Sequence, residues 1–218
     1  MTKPFILPPP GSLAPADNSD PLPFYYRPLI GALYKARLDV GLQMLPERCD
    51  SLLEIGYGSG ILMPSLAARC NHLFGVDIHS KNLEVGQALQ RLGITPTLLS
   101  HDARQLPFSD GRFDVIVAFS FLEHVKPLEP FLKEMWRVLR TPGHLILGMP
   151  MVNKLFNRLF PLIGFSGIED HHISSPPDLV HSLKILRWEW TERGMPAFLP
   201  SALRFYRVFH INKRDDPI

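Results

Sequence analysis

Cysteine is nearly absent from this chain. Cys49 and Cys70 are the only thiols in 218 residues, and no Cys-x-x-Cys spacing occurs. A disulfide framework and a thiolate zinc site are thereby excluded, and two free thiols fit a reducing, cytoplasmic setting. No apolar run reaches the eighteen residues that a membrane-crossing helix needs. The amino terminus has no cationic segment leading into a long apolar run, so a secretory signal is not expected. An excess of one charge is also missing. With 23 Lys and Arg against 21 Asp and Glu, no broad basic face for nucleic acid is implied.

Proline is concentrated at the start. Residues 1–23 hold Pro8-Pro9-Pro10, Pro15, Pro21 and Pro23 among small polar residues, which suits an extended or flexible arm rather than a helix or central strand. The remainder, residues 24–218, is of a size for a single domain. A helix is expected from Phe24 to Met44, with Leu29, Ile30, Leu33, Ala36, Leu38, Leu42 and Leu45 as its buried stripe. Before it, Tyr25-Tyr26-Arg27 reads either as a cap packed on the core or as a group that covers a ligand.

The chain is organised around Leu52-Leu53-Glu54-Ile55-Gly56-Tyr57-Gly58-Ser59-Gly60. A short apolar run, as in a strand covered on both faces, meets three alternate glycines. Without a Cβ the backbone can turn sharply and approach a ligand closely. This is the geometry of a nucleotide-binding turn at the carboxyl end of a first strand. Two details choose the nucleotide. The dinucleotide fingerprint needs a small residue where Ile61 stands. Glu54 would repel a pyrophosphate but attract an ammonium and a sulfonium, by roughly 1 to 4 kcal/mol in wet surroundings. S-adenosylmethionine therefore fits better than NAD.

Beyond the turn, a helix is expected over Ile61 to Arg69, then a strand ending on Asp77, then a helix capped by Ser80 and running to about Leu92. A carboxylate at a strand end, in phase with a glycine turn, can accept from both ribose hydroxyls. Thr97 to Leu99 reads as a third strand and Phe113 to Ala118 as a fourth. Pro127 to Leu139 is an amphipathic helix and Leu145 to Met149 a fifth strand. This alternation is that of a doubly wound, mostly parallel α/β sheet. The cofactor core is thus assigned to residues 51–150. In the tail, Ile185 to Glu192 and Phe205 to Lys213 are strand-like and are expected to pair antiparallel, as closing strands over residues 185–213.

Taken together, LLEIGYGSG (52 to 60), FGVDIH (74 to 79), HDARQLPFSDGRFDVIVAFSFLEHV (101 to 125) and LKEMWRVLRTPGHLIL (132 to 147) resemble the class I S-adenosylmethionine-dependent methyltransferases. The resemblance is to the small-molecule branch that contains the ubiquinone and menaquinone biosynthesis enzymes. It implies a Rossmann-like sheet of seven strands with an antiparallel last strand. It implies that Gly56, Gly58 and Gly60 line the methionine portion, with Glu54 supporting the turn and the amino group. Asp77 would hold the ribose hydroxyls and Ile78 would lie against the adenine. Asp102 would meet the adenine amino group, Ala103 would offer its backbone amide, and Phe119 and Ser120 would close the floor beneath the sulfonium. Where the family usually has Lys-Pro-Gly-Gly, this chain has Thr141-Pro142-Gly143-His144.

Methyl transfer needs a base only if the nucleophile must lose a proton. His124, just beyond the fourth strand, is the leading candidate, followed by His171 and His172 in the later loop. Asp170 beside His171 and His172 lacks a matched distant pair of ligands, so no metal site is expected. Met151 to Phe165 reads as an amphipathic helix, within a lid or acceptor region of about residues 151–180. Its apolar face suits a small or lipid-like acceptor, and peripheral membrane contact stays open. The alternatives are an inactive S-adenosylmethionine-binding module acting through partners and, opposed by Glu54 and Ile61, a nicotinamide-dependent oxidoreductase.

Overall fold

The computed structural model describes residues 4–18, 20–151, 172–197, 200 and 204–214. Seven strands form one sheet: β1 (Cys49–Ile55), β2 (Cys70–Asp77), β3 (Thr97–Ser100), β4 (Phe113–Phe119), β5 (Leu139–Pro150), β6 (Thr191–Met195) and β7 (Tyr206–Lys213). Their order is β3-β2-β1-β4-β5-β7-β6. The first five run parallel, β7 is antiparallel to β5, and β6 is antiparallel to β7. The expected α/β architecture is present. The strand order reverses between β1 and β4, and the crevice at such a switch point is where sheets of this kind bind ligands.

Strand periodicity sorts the side chains into two cores. Leu52, Val115, Val117 and Ile146 face one side, against Leu38 and Leu42 of α1 (Pro28–Leu42), Met63 and Leu66 of α2 (Met63–Ala67) and Leu89 of α3 (Asn82–Arg91). Their neighbours Leu53, Ile116, Leu145 and Leu147 face the other, against Leu132 and Met135 of α4 (Glu129–Val138) and Leu179 and Leu183 of α5 (Pro176–Ile185). Both faces of the central strands are thus dry, which is why β4 is buried along its whole length.

Several local expectations are corrected. The helix expected over Ile61 to Arg69 shortens to Met63–Ala67. Pro64 suits a first helical turn, and the Arg69 amide closes on Leu66 rather than a residue further back, so the chain leaves at once for β2. Ser80 does not cap α3, whose N-cap is Lys81. Leu29, placed in the buried stripe of α1, is exposed, and Gly31, Tyr34, Leu38, Gly41 and Leu42 are the buried positions. The strand read from Ile185 to Glu192 begins only at Thr191. Ile185 is instead the last residue of α5, which starts from a capping box of Ser175 and Asp178 with Pro at the first turn, and residues 186–190 form a turn and loop. The aromatic residues that suggested a strand are used in packing: Trp188 stacks on Trp136 of α4, with ring centroids 4.2 Å apart.

The described residues of the proline-rich arm have no regular structure before a 3-10 turn at Leu22–Tyr26, and they pack on the domain. The Phe5 amide donates to Asp39 Oδ1 at 2.7 Å and the Ile6 amide to Ser65 Oγ at 2.8 Å, while Leu13 and Ala16 are buried. The amphipathic helix read from Met151 to Phe165 falls, beyond Met151, outside the described residues, as does His171. No helix among the described residues is long and apolar enough to cross a membrane.

Candidate active site

β1 delivers the glycine turn to the switch point. Gly56 has φ +74 and Gly58 φ +50, a left-handed backbone that L side chains rarely adopt. A Cβ on Gly56 would lie 3.0 Å from Phe121, and one on Gly58 would lie 3.3 Å from Asp20 Oδ2. A Cβ on Gly60 would lie 3.1 Å from Val85 and 3.2 Å from Leu89 of α3. The turn is tied to β2. The Gly58 amide donates to Asp77 Oδ2 and the Gly56 amide to the Val76 carbonyl, both at 2.8 Å.

Asp77 closes β2, and its other oxygen, Oδ1, accepts from the Ile78 amide at 2.7 Å. His79, unnoticed in the sequence, lies 3.0 Å through Nε2 from the Gly58 carbonyl, while its Nδ1 accepts from the Lys81 amide at 3.1 Å. These two contacts assign the proton to Nε2. Ile78 is 74% exposed beside them, an uncovered apolar side chain at the strand end. After β3, Asp102 is held by Arg104, with Nη2 at 2.5 Å and Nε at 2.9 Å, and these bonds pull its carboxyl below the ordinary range. Ala103 next to it is buried.

Glu54 is 4% exposed, and its Oε2 has no hydrogen-bond partner. Burial, and then the Asp77 charge, push its carboxyl well above the usual carboxylate range. A second buried polar group faces the same interior. Arg37 of α1 donates through Nη2 to the Tyr25 hydroxyl at 3.1 Å and lies over the Tyr34 ring at 4.1 Å, yet its Nε is buried without a partner. Burial alone would lower the Arg37 pKa, but Tyr25, Tyr206 and Tyr34 outweigh it and leave the guanidinium firmly charged. Arg37 and Glu54 both act electrostatically on Tyr25. The only sequence signal for Arg37 was a cation beside the apolar stripe of α1. The arm adds Asp20, also unanticipated: its Oδ1 accepts from Ser59 Oγ at 3.2 Å and from the Leu22 amide at 2.9 Å. Leu13, Pro15, Ser59, Lys81 and Val85 line an adjoining cavity of about 410 Å³.

β4 brings Phe119 and Ser120 to the same edge. Phe119 fits between two glycines, since a Cβ on Gly41 or on Gly148 would come within 2.3 Å of its ring. Ser120 has φ +55, and its Oγ lies 3.2 Å from the Tyr206 hydroxyl. A 3-10 turn at Leu122–His124 follows. Glu123 in it is 1% exposed and Oε2 has no partner, so burial pushes its carboxyl up to about 8 against the pull of Arg37 and Ser120. His124 is exposed, with its ring 5.3 Å from that of His172. Two of the three histidines singled out in the sequence are therefore neighbours. The Ile173 and Ser174 amides fix this arrangement by donating to the Glu123 carbonyl at 2.8 and 3.2 Å.

Comparison with known proteins agrees with this geometry. Residues 53–147 match the family model described as a methyltransferase domain. A sterol 4-C-methyltransferase of Caenorhabditis elegans is 33% identical over 98 residues, covering 44% of this chain and 29% of the relative. A ubiquinone/menaquinone biosynthesis C-methyltransferase of Paraburkholderia phymatum is 35% identical over 101 residues, covering 44% of this chain and 41% of the relative. The chain thus spans less than half the length of these two curated relatives. Among solved structures, a SAM-dependent methyltransferase of Thermotoga maritima, described as a possible histamine N-methyltransferase, superposes with a TM-score of 0.63 at 21% identity, over 84% of this chain and 89% of that one. Residues 53–147 of this chain thus match a methyltransferase domain, and the fold that carries them is similar to that of the Thermotoga maritima structure.

Proposed function

We propose that the protein transfers a methyl group from S-adenosylmethionine to a small or lipid-like acceptor. The observation that carries this reading is the pair of unpartnered buried groups, Arg37 Nε and Glu54 Oε2. A buried polar atom left without a hydrogen bond costs about 1 to 3 kcal/mol. A buried guanidinium with a spare N–H and a buried carboxyl with a spare oxygen, both acting on Tyr25, suit a zwitterion. The methionine portion of the cofactor is one, with a carboxylate for Arg37 and an ammonium for Glu54. Gly56 and Gly58 leave space for it, and Gly60 keeps the turn close to α3. Asp77 Oδ2, beside the Gly58 amide from which it accepts, keeps an acceptor lone pair for a ribose hydroxyl, exposed Ile78 offers an apolar face to the adenine, and Asp102 with Ala103 borders that end. Phe119 and Ser120 form the floor of the site.

When bound, S-adenosylmethionine supplies a methyl group on a good leaving group, so the chain's own task is chiefly positioning and exclusion of water. The arm contributes to that exclusion by laying Asp20 on the glycine turn. His124 and His172 lie on the acceptor side, where a neutral imidazole can take a proton from a hydroxyl or amine. The sterol and quinone relatives support an acceptor with an apolar ring or tail. A screen of sterols, isoprenoid quinols and phospholipid headgroups for release of S-adenosylhomocysteine tests the proposal. Turnover with an apolar acceptor is expected. Tight cofactor binding with no turnover on any class would favour a cofactor-binding module instead.

A further inference from the structure

We propose that Glu123, His124 and His172 form a site for a divalent transition-metal ion at the acceptor end of the crevice. The inference rests on the methyl-transfer reading and adds to it a cation that would orient an oxygen-bearing acceptor. One ligand atom from each of these residues lies within 4.8 Å of the others. Metal-ligand bonds of about 2.0 to 2.2 Å place coordinating atoms about 3 to 4 Å apart, so modest side-chain rotation closes the set. The arrangement is held from two directions. Glu123 and His124 sit on the 3-10 turn that leaves β4, and His172 starts the segment whose Ile173 and Ser174 amides donate to the Glu123 carbonyl. Ser174 adds a third tie, its hydroxyl donating to the Val125 carbonyl at 2.6 Å.

The second, independent observation is Glu123 itself. It is 1% exposed, and Oε2 has no hydrogen bond. The groups that act on this carboxylate, Arg37 and Ser120, leave that oxygen unsatisfied. A buried carboxyl oxygen left without a partner is costly, and a cation shared with two imidazoles would give it one.

The donor set narrows the ion. Two imidazole nitrogens and one carboxylate oxygen suit zinc, iron(II), cobalt(II) or manganese rather than calcium or magnesium, which prefer all-oxygen ligands. Three protein ligands leave open positions. Because the turn at Leu122–His124 follows directly from Phe121, which packs against Gly56, those positions open beside the cofactor turn. An acceptor hydroxyl bound there would be more acidic than in water. Its proton passes to solvent, its oxygen forms the bond to the methyl carbon, the carbon–sulfur bond breaks, and the electron pair goes to sulfur. The products are a methyl ether and S-adenosylhomocysteine, with no change in metal oxidation state.

Cobalt(II) is the probe. The full chain, purified with chelator and dialysed, is titrated with cobalt(II) chloride while the visible ligand-field bands are followed, and with zinc chloride by calorimetry. One equivalent is expected to bind. Glu123→Gln and His172→Asn are each expected to weaken binding at least tenfold, with unchanged circular dichroism and melting temperature as evidence of folding. His101→Ala, exposed beside Asp102 and outside the cluster, is the control and is expected to leave binding unchanged. Absence of binding by wild type, or equal binding by wild type, Glu123→Gln and His172→Asn, would overturn the site. S-adenosylmethionine is titrated into the same metal-free samples. Cofactor binding without metal binding defeats this inference alone, whereas metal binding without cofactor binding defeats the methyl-transfer reading.

Discussion

The two ends of the proposed crevice are assembled by different means. The cofactor end is local in sequence: the glycine turn, Asp77 and His79 come from two adjacent strands, and their hydrogen bonds run between the turn and β2. The acceptor end is gathered from afar. Glu123 and His124 come from beyond β4 and His172 from the segment before α5. Each end holds a buried carboxyl oxygen without a hydrogen bond, Glu54 Oε2 at one and Glu123 Oε2 at the other. Short-range hydrogen bonds fix a cradle that any cofactor-binding relative can reuse, whereas an assembly of distant residues can change acceptor without disturbing that cradle.

The largest effect expected in breaking this contrast is from Gly58→Val. It places a branched side chain at φ +50, 3.3 Å from the Asp20 carboxylate, and strain of this kind costs about 1 to 3 kcal/mol before any clash with ligand is counted. Calorimetry should show S-adenosylmethionine affinity reduced at least a hundredfold. A smaller effect than that of Asp77→Ala would mean the cradle does not contact the cofactor.

Asp77→Ala comes next. It removes the acceptor of the Gly58 amide and the proposed ribose contact together, each charged hydrogen bond contributing about 1.5 to 3 kcal/mol at most. A loss of cofactor affinity of about ten- to a hundredfold is expected by the same titration. A larger effect on acceptor KM than on cofactor affinity would erase the distinction between the two ends.

Glu54 sharpens the comparison through pH. Its folded pKa is raised from 4.5 by burial, so the folded state holds the proton more tightly than the unfolded one. That contribution to stability is full below about 4.5 and is lost as pH rises towards the folded pKa, by at most about 1.4 kcal/mol per pH unit. In the absence of cofactor, melting temperatures between pH 5 and 8 should fall more steeply for wild type than for Glu54→Gln. Parallel profiles would show that Glu54 is solvated after all.

How much of this was legible follows the same division. Strands β1 and β4 announced themselves because both faces are buried and their apolar runs are continuous. The glycine turn and Asp77 were legible because backbone geometry dictates residue type there. Arg37, Asp20 and Glu123 owe their positions to packing between elements far apart in the chain, which no local pattern encodes. α5 was missed because its start carries Pro176 and Pro177, which read as loop until the Ser175–Asp178 capping box is seen. Trp188 and Trp190 then biased the following segment towards strand, although Trp188 is needed against Trp136.

The smallest effect should come from Arg104→Ala. Arg104 holds Asp102 at the solvent edge of the cofactor end, where an exposed ion pair contributes little. Cofactor affinity should change less than about threefold. A tenfold change would place Asp102 in more intimate contact with the adenine than its exposed pairing suggests.

The most direct measurement is a calorimetric titration of the full chain with S-adenosylmethionine and, separately, with NADH, repeated on Arg37→Met and Glu54→Gln. The orphaned buried pair predicts one site for S-adenosylmethionine, none for NADH, and at least tenfold weaker binding in both variants. Binding of NADH without S-adenosylmethionine, or S-adenosylmethionine binding that neither substitution alters, would contradict a zwitterionic sulfonium cofactor held between Arg37 and Glu54.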